Sequence, residues 1–462
     1  MQCMDQENPV PELVRFERSE GLVVGTGGDT RAVARVGDRR ILIGSNLCDR
    51  QSVQADTVKN RHSGPVCPPH PPAESGQGLC ATGVSRLLCT DSEMASSRRS
   101  GTGTGCDFMH LRYWYKLVPM KAPSPPPSPP QDPQAPVVCR IVSRASALRR
   151  LREDPRSLAM IDFSAEGPRA TDEDPRRLQV PLARLDPGAE VELWLSRSEV
   201  VCGRHGRIAY TRNEELLMAW TWMPEARAGE LEASVAAVYA ELLDLIEGQG
   251  YGYPFRTWTY LHDITGTEGT LNRYQAFCKG RYAGIGGVTR PALLPAATVI
   301  GSQVPGMLVY VLAGRAPPRQ LENPRQVSAF RYPRRYGPQS PSFSRAIVKP
   351  WVSEGHPQLY ISGTASIVGH ESVHEADLLR QLDEILRNLQ TLISSPGRDR
   401  LPGLNALADL TALKIYLRDV QDTAIVTQVL RARLGPATPL LFLHGEVCRS
   451  ELLLEIEALY TP

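Results

Sequence analysis

Two glutamates near the C-terminus are the residues of this chain best suited to proton transfer. Glu455 and Glu457 lie in the run Leu454-Glu-Ile-Glu-Ala458, and the alternation around them predicts the last strand of the fold. Because successive side chains of a strand point to opposite faces, the two carboxyls share one face. A carboxylic acid that is held neutral in a dehydrated cleft can donate a proton. The periodicity alone does not decide between the two residues.

A second candidate for chemistry is the run His370-Glu-Ser-Val-His374, which matches the H-E-x-x-H pattern of zinc peptidases. On a helix this spacing places two imidazoles on one face, with the glutamate as a base. Here Gly369 and the apolar run before it predict that His370 lies in a strand-to-helix turn. No clear third ligand follows, since Glu384 comes only ten residues after His374. A polar helix start, with Glu371 favoured by the helix dipole, is the simpler interpretation.

The ten cysteines form no C-x-x-C pair, which argues against a zinc ribbon or a thioredoxin-type site. Cys448 stands alone, seven residues before Glu455, and a lone cysteine is usually a small buried apolar residue. The first eleven residues carry acids and prolines instead of a basic and then apolar stretch, so no secretory signal is visible. We therefore expect reduced thiols and a cytoplasmic protein.

Charge is nearly balanced, with 52 basic and 50 acidic side chains, so no overall field favours nucleic acid or an anionic membrane as a partner. Residues 291–314 contain no charge and are numerous enough to cross a bilayer, but prolines and glycines interrupt them. Two short buried strands joined by a turn fit this segment better.

The first third of the chain differs in composition from the rest. Residues 50–106 are rich in Ser, Gly, Pro, Arg and Cys without periodicity, and such a segment cannot bury enough apolar surface to offset its chain entropy. We predict that residues 1–136 are a largely disordered extension with one hairpin within 11–44. Residues 122–136 form a stiff proline-rich linker. Met120 is an alternative start.

After residue 136 the pattern becomes globular and repeats itself. In each half an amphipathic helix is followed by a strand that ends in Tyr-Leu-His-Asp263 or in Tyr-Leu-Arg-Asp419. We predict an α+β fold of two units in tandem, 137–300 and 301–462, each a sheet with helices on one face. The predicted strands cover 190–195, 217–222, 256–260, 359–367, 410–417 and 452–459. The predicted helices are centred on Val235, Val238, Tyr239, Leu242 and Leu245, on Leu379, Leu382, Leu386, Leu389 and Ile393, and on 423–434.

The second unit resembles the Rid (YjgF-like, chorismate-mutase-like) fold. The resemblance rests on Ser362-Gly363, on a helix that carries Asp377, Gln381 and Asn388-Leu389, on the strand that ends at Asp419, and on Leu454–Ala458. It implies two Rid-like units in this chain. Proteins of that fold are trimers with active sites in the clefts between subunits.

A more specific resemblance covers residues 258–462 and joins the chain to the chorismatase family. Its motifs, in chain order, are Asn272–Arg281, Pro295–Thr298, Leu321–Ala329, Arg331–Pro333, Tyr336–Ala346 and Ser362–His370. The match is weaker over residues 137–257, which the resemblance implies are the family's N-terminal Rid-like unit. The resemblance also explains the histidine run without a metal. It implies an enzyme that removes pyruvate from chorismate.

The resemblance also implies that Glu455 is the acid. Chorismate carries an enolpyruvyl ether, and the loss of pyruvate begins when a proton reaches the vinyl carbon. The resulting oxocarbenium ion is attacked by water or by a neighbouring hydroxyl. Glu457 is then expected to be a salt-bridged surface residue.

Product choice is the role that the resemblance gives to Cys448. In chorismatases that form a hydroxybenzoate, a cysteine at this spacing guides the intermediate to an aromatic product, whereas the hydrolytic branch has a small residue there. Ala365 is a candidate second selector. The expected products are pyruvate and 3-hydroxybenzoate, the latter alone or with 4-hydroxybenzoate.

The two carboxylates of chorismate call for planar cationic donors, which arginine offers in bidentate form. Arg281 and Arg345 each close a long family motif and are the first choices, with Arg325 and Arg331 in reserve. The other predicted substrate contacts are the hydroxyls of Tyr274 and Tyr336 and the backbone amides of Gly363 and Thr364.

Three hypotheses remain open. The first is a chorismatase without metal or other cofactor, and the second is a zinc metallopeptidase built on His370, Glu371 and His374. The third is a non-catalytic Rid-like trimer that binds a ligand. The first predicts chorismate as the partner, with no nucleic acid or membrane. It fits either a trimer or a monomer with an internal pseudo-repeat.

Overall fold

The computed structural model describes residues 32–36, 39–43, 135–166, 174–185, 190–288, 290–351, 355–395 and 401–462. The chain divides into two compact units, Met1–Ala122 and Pro123–Pro462. In the first unit β1 (Ala32–Val36) pairs antiparallel with β2 (Arg39–Ile43), which agrees with a hairpin in this region. Apart from those strands and residues 135–136, the predicted disordered extension and proline-rich linker lie outside the described residues.

The second unit contains the globular fold, with strands and helices alternating along the chain. Its helices are α1 (Arg144–Glu153), α2 (Leu231–Gly248), α3 (Arg273–Gly284), α4 (Leu378–Ile393) and α5 (Thr423–Leu434). Its strands are β3 (Val137–Ser143), β4 (Ser157–Phe163), β5 (Arg177–Val180), β6 (Glu190–Ser196), β7 (Val201–His205), β8 (Ile208–Arg212), β9 (Leu216–Met223), β10 (Tyr253–His262), β11 (Thr267–Glu268), β12 (Leu271–Asn272), β13 (Ala296–Ser302), β14 (Met307–Gly314), β15 (Arg319–Leu321), β16 (Ala346–Lys349), β17 (Gln358–Thr364), β18 (Ile367–Val368), β19 (Glu371–Ser372), β20 (Ala412–Leu417), β21 (Leu440–His444) and β22 (Leu454–Tyr460).

Two six-stranded sheets have the same topology. The first has the order β13-β10-β14-β9-β8-β7 and the second the order β21-β20-β22-β17-β16-β15. In each, one parallel pair at the edge (β10 with β13, β20 with β21) adjoins antiparallel strands. The predicted α+β class with two Rid-like units in tandem is confirmed.

A third, smaller sheet departs from the predicted division of the chain. Strands β3, β6, β4 and β5 form a separate four-stranded sheet that packs against α1, so residues 137–196 do not join the first repeat. The predicted boundary between residues 300 and 301 falls inside β13, and the first repeat continues through β14 to Gly314. The uncharged run 291–314 does supply two buried strands, as predicted.

One hydrophobic core lies between the three sheets, and the helices cover their outer faces. The central core takes residues from all three sheets, for example Leu158, Trp258 and Leu441. Separate clusters join α2 and α3 to the first repeat and α4 and α5 to the second. Each repeat therefore has its helices on one face, as predicted, and turns its other face inward.

Most predicted elements have the expected type, with small shifts of their ends. Leu379 is an exception, because it was placed on the apolar face of α4 but is 47% exposed. Helix α5 ends at Leu434, and the next residue, Gly435, caps it. The φ of Gly435 is 85°, in the left-handed region that favours glycine. Within the described residues, no helix has the length and apolar character needed to cross a membrane.

Helix α3 packs against α2 at very short range because two glycines face the contact. A Cβ built at Gly280 would lie 2.3 Å from the carbonyl oxygen of Glu232 and 2.8 Å from Cβ of Val235. One at Gly284, one turn further, would lie 2.5 Å from the carbonyl oxygen of Ala236. The two backbones therefore approach as closely as glycine allows.

We expect Gly280→Ala to lower the free energy of unfolding by about 1–3 kcal/mol, since the added methyl overlaps backbone that cannot move freely. The measurement is the midpoint of denaturant unfolding. Gly248→Ala is the control, because a Cβ at that helical position meets nothing within 4 Å and alanine favours the helix. Equal stability of the two variants would contradict the packing described here.

Candidate active site

A cleft of about 300 Å³ lies where β13 of the first repeat meets β17 of the second. An isolated bridge between Ala296 and Ser344 joins the two repeats beside it. The predicted site residues that line the cleft are Tyr274, Tyr336, Arg345, Gly363, Ala365, Cys448 and Glu455. The cleft thus brings together seven of the nine side chains and backbone groups that the sequence singled out.

Glu455 is a buried acid without a partner. Its residue is 6% exposed, and none of the described residues makes a hydrogen bond or an ion pair with its carboxyl group. Strand β17 comes so close that a Cβ at Gly363 would lie 1.7 Å from Oε1 of Glu455. Gly363 therefore provides the space for the acid, and any side chain there would displace it.

Glu457, on the same inward face of β22, lies in a dense network of donors. Its carboxylate forms ion pairs with Arg256 (2.7 Å) and Lys414 (2.8 Å), and it accepts hydrogen bonds from Trp258 Nε1 (2.8 Å) and from the Tyr416 hydroxyl (3.1 Å). The residue is 4% exposed. The expected salt bridge is present, but the expected surface location is wrong: Glu457 lies in the centre of the fold.

The two neighbouring carboxyls therefore differ in charge state. Burial and the charge of Glu457 raise the pKa of Glu455 to about 8, although Arg256 and Arg345 act to lower it. Burial alone would raise the pKa of Glu457, but Lys414 and Arg256 lower it to about 2. At neutral pH Glu455 is a protonated acid and Glu457 is a carboxylate, and such a division assigns acid and anion roles.

The thiol of Cys448 lies in the cleft beside Tyr274 and near Glu455. Burial and the charge of Glu455 raise the pKa of Cys448 to about 12, although Arg449 and a hydrogen bond with Tyr274 act to lower it. A second thiol, Cys278 of α3, also hydrogen bonds with Tyr274 and lines the cleft. Both thiols are therefore neutral at physiological pH and act as weak polar groups, not as nucleophiles.

Ala365 belongs to a small apolar cluster with Ile367, Val447 and Leu452, and Cys448 packs against this cluster. The two residues that the sequence proposed as product selectors are therefore neighbours in space. Both also line the cleft.

Arg345 is the predicted arginine that the cleft contains. It is 5% exposed, and one terminal nitrogen donates to the carbonyl of Val327 (2.8 Å) and to the hydroxyl of Tyr332 (2.6 Å). Its Nε is buried and has no partner among the described residues. An unpaired buried donor costs free energy, so a carboxylate in the cleft would satisfy it.

Arg449 is a site residue that sequence reasoning missed. Its guanidinium group lies 4.0 Å from the ring centroid of Tyr336 and 5.5 Å from that of Tyr332, and its Nη1 donates to the His370 carbonyl and to Ser372 Oγ. It lines the cleft next to Cys448. Its position beside that cysteine was the one available signal, since it closes no long motif.

Two predicted contacts lie elsewhere. Arg281 lines a different cavity, between α2, α3 and the first sheet, because it follows Cys278 by nearly one helical turn. Thr364, whose backbone amide was the predicted contact, does not line the cleft, and its hydroxyl donates to the Ser362 carbonyl. The Gly363 amide is not free, because it donates to Thr298 Oγ1 at 3.0 Å.

The reserve arginines are also occupied outside the cleft. Arg325 pairs with Glu384, and Arg331 lies over the ring of Phe330 on the surface. Arg335 is 54% exposed in its side chain and pairs with Glu371 at the edge of the cleft.

The H-E-x-x-H run does not form a helix. Strands β18 and β19 make a hairpin whose turn contains Gly369 and His370, and α4 begins only at Leu378. His370 Nδ1 contacts the Tyr336 hydroxyl at 3.2 Å, whereas His374 Nε2 lies 3.6 Å from Glu384. In the described part of the chain, no three His, Cys, Asp or Glu side chains converge as metal ligands.

Comparison with known proteins identifies the family of this two-repeat fold and its cleft. The family model "Chorismatase FkbO/Hyg5-like, N-terminal" matches residues 192–313. A chorismatase of Streptomyces rapamycinicus is 38% identical over 274 residues, which are 58% of this chain and 80% of the relative. A 3-hydroxybenzoate synthase of Streptomyces hygroscopicus is 36% identical over 290 residues, covering 60% and 84% of the two chains. A crystal structure of a chorismatase at 1.08 Å has a TM-score of 0.63 and 31% identity, covering 70% of this chain and 98% of that one.

These similarities extend over most of each relative, so the chain shares a whole enzyme fold with them and not only a small module. The chain belongs to the chorismatase family.

The unusual pKa of Glu455 predicts a pH dependence of stability. Between about pH 4.5 and pH 8 the folded protein holds a proton that the unfolded chain has lost, so wild-type stability falls as pH rises through this window, by at most about 1.4 kcal/mol per pH unit. Glu455→Gln is neutral at every pH and lacks this loss. We expect the variant to gain stability relative to wild type up to about pH 8 and then to level off, as measured by denaturant unfolding at several pH values.

Glu371→Gln is the control for that experiment. Glu371 is exposed, and its hydrogen bond with Arg335 lowers its pKa, so its charge does not change in the window. A difference between Glu455→Gln and wild type that stays constant from pH 5 to pH 9 would contradict the buried neutral acid.

Proposed function

We propose that this protein removes pyruvate from chorismate and forms 3-hydroxybenzoate, with Glu455 as the acid. The observation that carries the proposal is a buried carboxyl group that has a raised pKa and no partner among the described residues, in a cleft lined by arginines. Relatives named chorismatase and 3-hydroxybenzoate synthase support the substrate and the product. The acid and the guanidinium groups supply the chemistry that this reaction needs, so the proposal includes no metal or other cofactor.

The first step is proton transfer from Glu455 to the terminal vinyl carbon of the enolpyruvyl group. The positive charge then lies on the ether oxygen and its carbon as an oxocarbenium ion, and the new Glu455 carboxylate stabilises it. Attack by water or by a neighbouring hydroxyl of chorismate lets the ether bond break, and pyruvate leaves. Attack by water adds one water molecule and leaves a dihydroxy-cyclohexadiene acid, so the hydroxybenzoate forms on this route only when the ring then loses one water. When a hydroxyl of chorismate attacks, no water is added, and loss of a ring proton to the Glu455 carboxylate makes the ring aromatic and restores the acid.

Arg345 and Arg449 are the proposed carboxylate donors. Arg345 has a buried Nε without a partner among the described residues, and Arg449 lies against the rings of Tyr332 and Tyr336 in the same cleft. Two cations fit the two carboxylates of chorismate, and arginine offers planar paired donors. Tyr274 and Tyr336 remain proposed hydroxyl contacts.

Cys448 and Ala365 are the proposed determinants of the product. Cys448 is a neutral thiol beside Tyr274, at the side of the cleft where Glu455 lies. In this role Cys448 excludes water from the intermediate, so that the ring loses a proton and becomes aromatic. The cleft lies between the two repeats of one chain, which supports a monomer with an internal pseudo-repeat over a site shared between subunits. A cytoplasmic location stays a prediction.

The first test is pyruvate release from chorismate by Glu455→Gln. We expect kcat to fall at least about 100-fold, since general acids contribute about 10²–10⁴-fold. The wild-type rate should also fall as pH rises above about 8, because only protonated Glu455 reacts. A lactate dehydrogenase-coupled assay measures pyruvate, and circular dichroism checks that the variant folds.

Glu371→Gln and EDTA distinguish the proposal from the two rival hypotheses. Glu371 would be the base of a zinc peptidase, so the proposal expects this variant to keep the wild-type rate and EDTA to have no effect. Loss of activity with either change would favour the metal site, and no pyruvate release by wild type would favour a ligand-binding protein. A wild-type rate in Glu455→Gln would show that the acid is misassigned.

A second test concerns product choice. Cys448→Ala should change the ratio of hydroxybenzoates to dihydroxy-cyclohexadiene acid more than it changes total pyruvate, as measured by chromatography of the products, including 4-hydroxybenzoate. Cys278→Ala is the matched control. This thiol also hydrogen bonds with Tyr274, but it belongs to α3 and does not pack against the apolar cluster of Ala365. An unchanged ratio in Cys448→Ala would remove the selecting role.

A further inference from the structure

Arg281 is a buried cation that the cleft does not use. It is 3% exposed, its Nε is buried without a hydrogen-bond partner, and no ion pair or hydrogen bond joins its guanidinium group to another described residue. The guanidinium carbon lies 5.3 Å from the ring centroid of Tyr239, which is a cation–π contact. A buried guanidinium group without an anion is costly, so its presence calls for an explanation.

The guanidinium group lines a cavity of about 430 Å³ between α2, α3 and the helix-covered face of the first sheet. This volume lies within the range of roughly 300–1,000 Å³ that is usual for small-molecule sites. The walls are mainly apolar, with contributions from Leu242, Ile285, Leu293 and Val309. The other charged residues that line it, Glu247 and Arg290, are exposed.

The packing of the helices explains how the cation is held there. Gly280 and Gly284 let α3 approach α2 closely on either side of Arg281 in sequence. The Tyr239 hydroxyl bonds with Thr259 Oγ1 at 2.8 Å, so the ring below the guanidinium group is fixed. The donor therefore occupies a defined position before any ligand arrives, which reduces the cost of binding.

We propose that this cavity is a second, non-catalytic binding site for a small aromatic monocarboxylate, with Arg281 as the carboxylate donor. One buried cation in apolar walls matches one anionic group on an apolar body. For the second charge of a dicarboxylate such as chorismate, the lining offers only the exposed Arg290, where water weakens the ion pair. The proposal does not depend on the reaction catalysed in the cleft.

The test uses benzoate as the thermal-shift probe and 4-bromobenzoate as the crystallographic probe. In crystals of wild-type protein soaked with 4-bromobenzoate, the anomalous signal of bromine should appear in the cavity, with the carboxylate against Arg281. Benzoate should raise the melting temperature of wild type and of Arg345→Met, which loses the donor of the cleft. It should not raise that of the double variant Arg281→Met/Arg345→Met, in which the affinity should fall at least about tenfold relative to Arg345→Met.

Arg281→Met should fold as well as wild type without ligand, because methionine removes an unpaired buried charge and keeps much of the volume. If this variant does not fold, Leu243→Trp decides, since it keeps Arg281 but fills the cavity, and in the Arg345→Met background it should abolish the benzoate effect. Bromine found only in the Arg345 cleft, or a benzoate effect that persists when Arg281→Met or Leu243→Trp is combined with Arg345→Met, would overturn the proposal. Pyruvate release is not a readout, so the outcome is independent of the function proposed for the cleft.

Discussion

The site depends on a buried charge network that is already complete without Glu455. Arg256 and Lys414 balance Glu457 and Glu192, since Lys414 Nζ lies 2.8 Å from one carboxylate and 3.1 Å from the other. One more anion beside this network would find no free cation within it and would face the charge of Glu457. Glu455 therefore keeps its proton, because its burial and, after that, the charge of Glu457 raise its pKa.

The same network explains why the third sheet matters to the cleft. Glu192 comes from β6 of the four-stranded sheet, Arg256 from β10 of the first repeat, and Lys414 from β20 of the second. Each sheet thus contributes a charge to the place where the three inner faces meet. Without Glu192, Lys414 would have one anionic partner fewer, and the balance that leaves Glu455 neutral would shift.

Local pattern predicted the elements and the shared face of the two glutamates, because strand and helix periods depend on neighbours in sequence. It did not predict that Glu457 is buried, because its partner Arg256 is 201 positions earlier in the chain. Arg281 and Arg449 show the same limit. Motif boundaries favoured Arg281, yet the turn of α3 directs it into another cavity, whereas Arg449 enters the cleft through a loop. The third sheet was missed because its strands carry no repeat signature.

Comparison of the two repeats shows how chemistry is confined to one of them. The matching strand ends Tyr-Leu-His-Asp263 and Tyr-Leu-Arg-Asp419 align Trp258 with Lys414. In the second repeat Lys414 lies opposite Glu457, and in the first repeat Trp258 lies opposite Tyr310, with the rings stacked 4.5 Å apart.

Two residues after Trp258 and Lys414 come the equivalent tyrosines, Tyr260 and Tyr416. Leu308 lies opposite Tyr260 in the first repeat, and Glu455 lies opposite Tyr416 in the second, so Leu308 has the position that Glu455 has. A leucine carries no proton to give, and a stacked aromatic pair needs no counter-charge. The duplicated scaffold therefore keeps the same strands in both halves. It exchanges an ion pair for a ring pair, so that an acid with a raised pKa arises at one position of the fold and not at its equivalent.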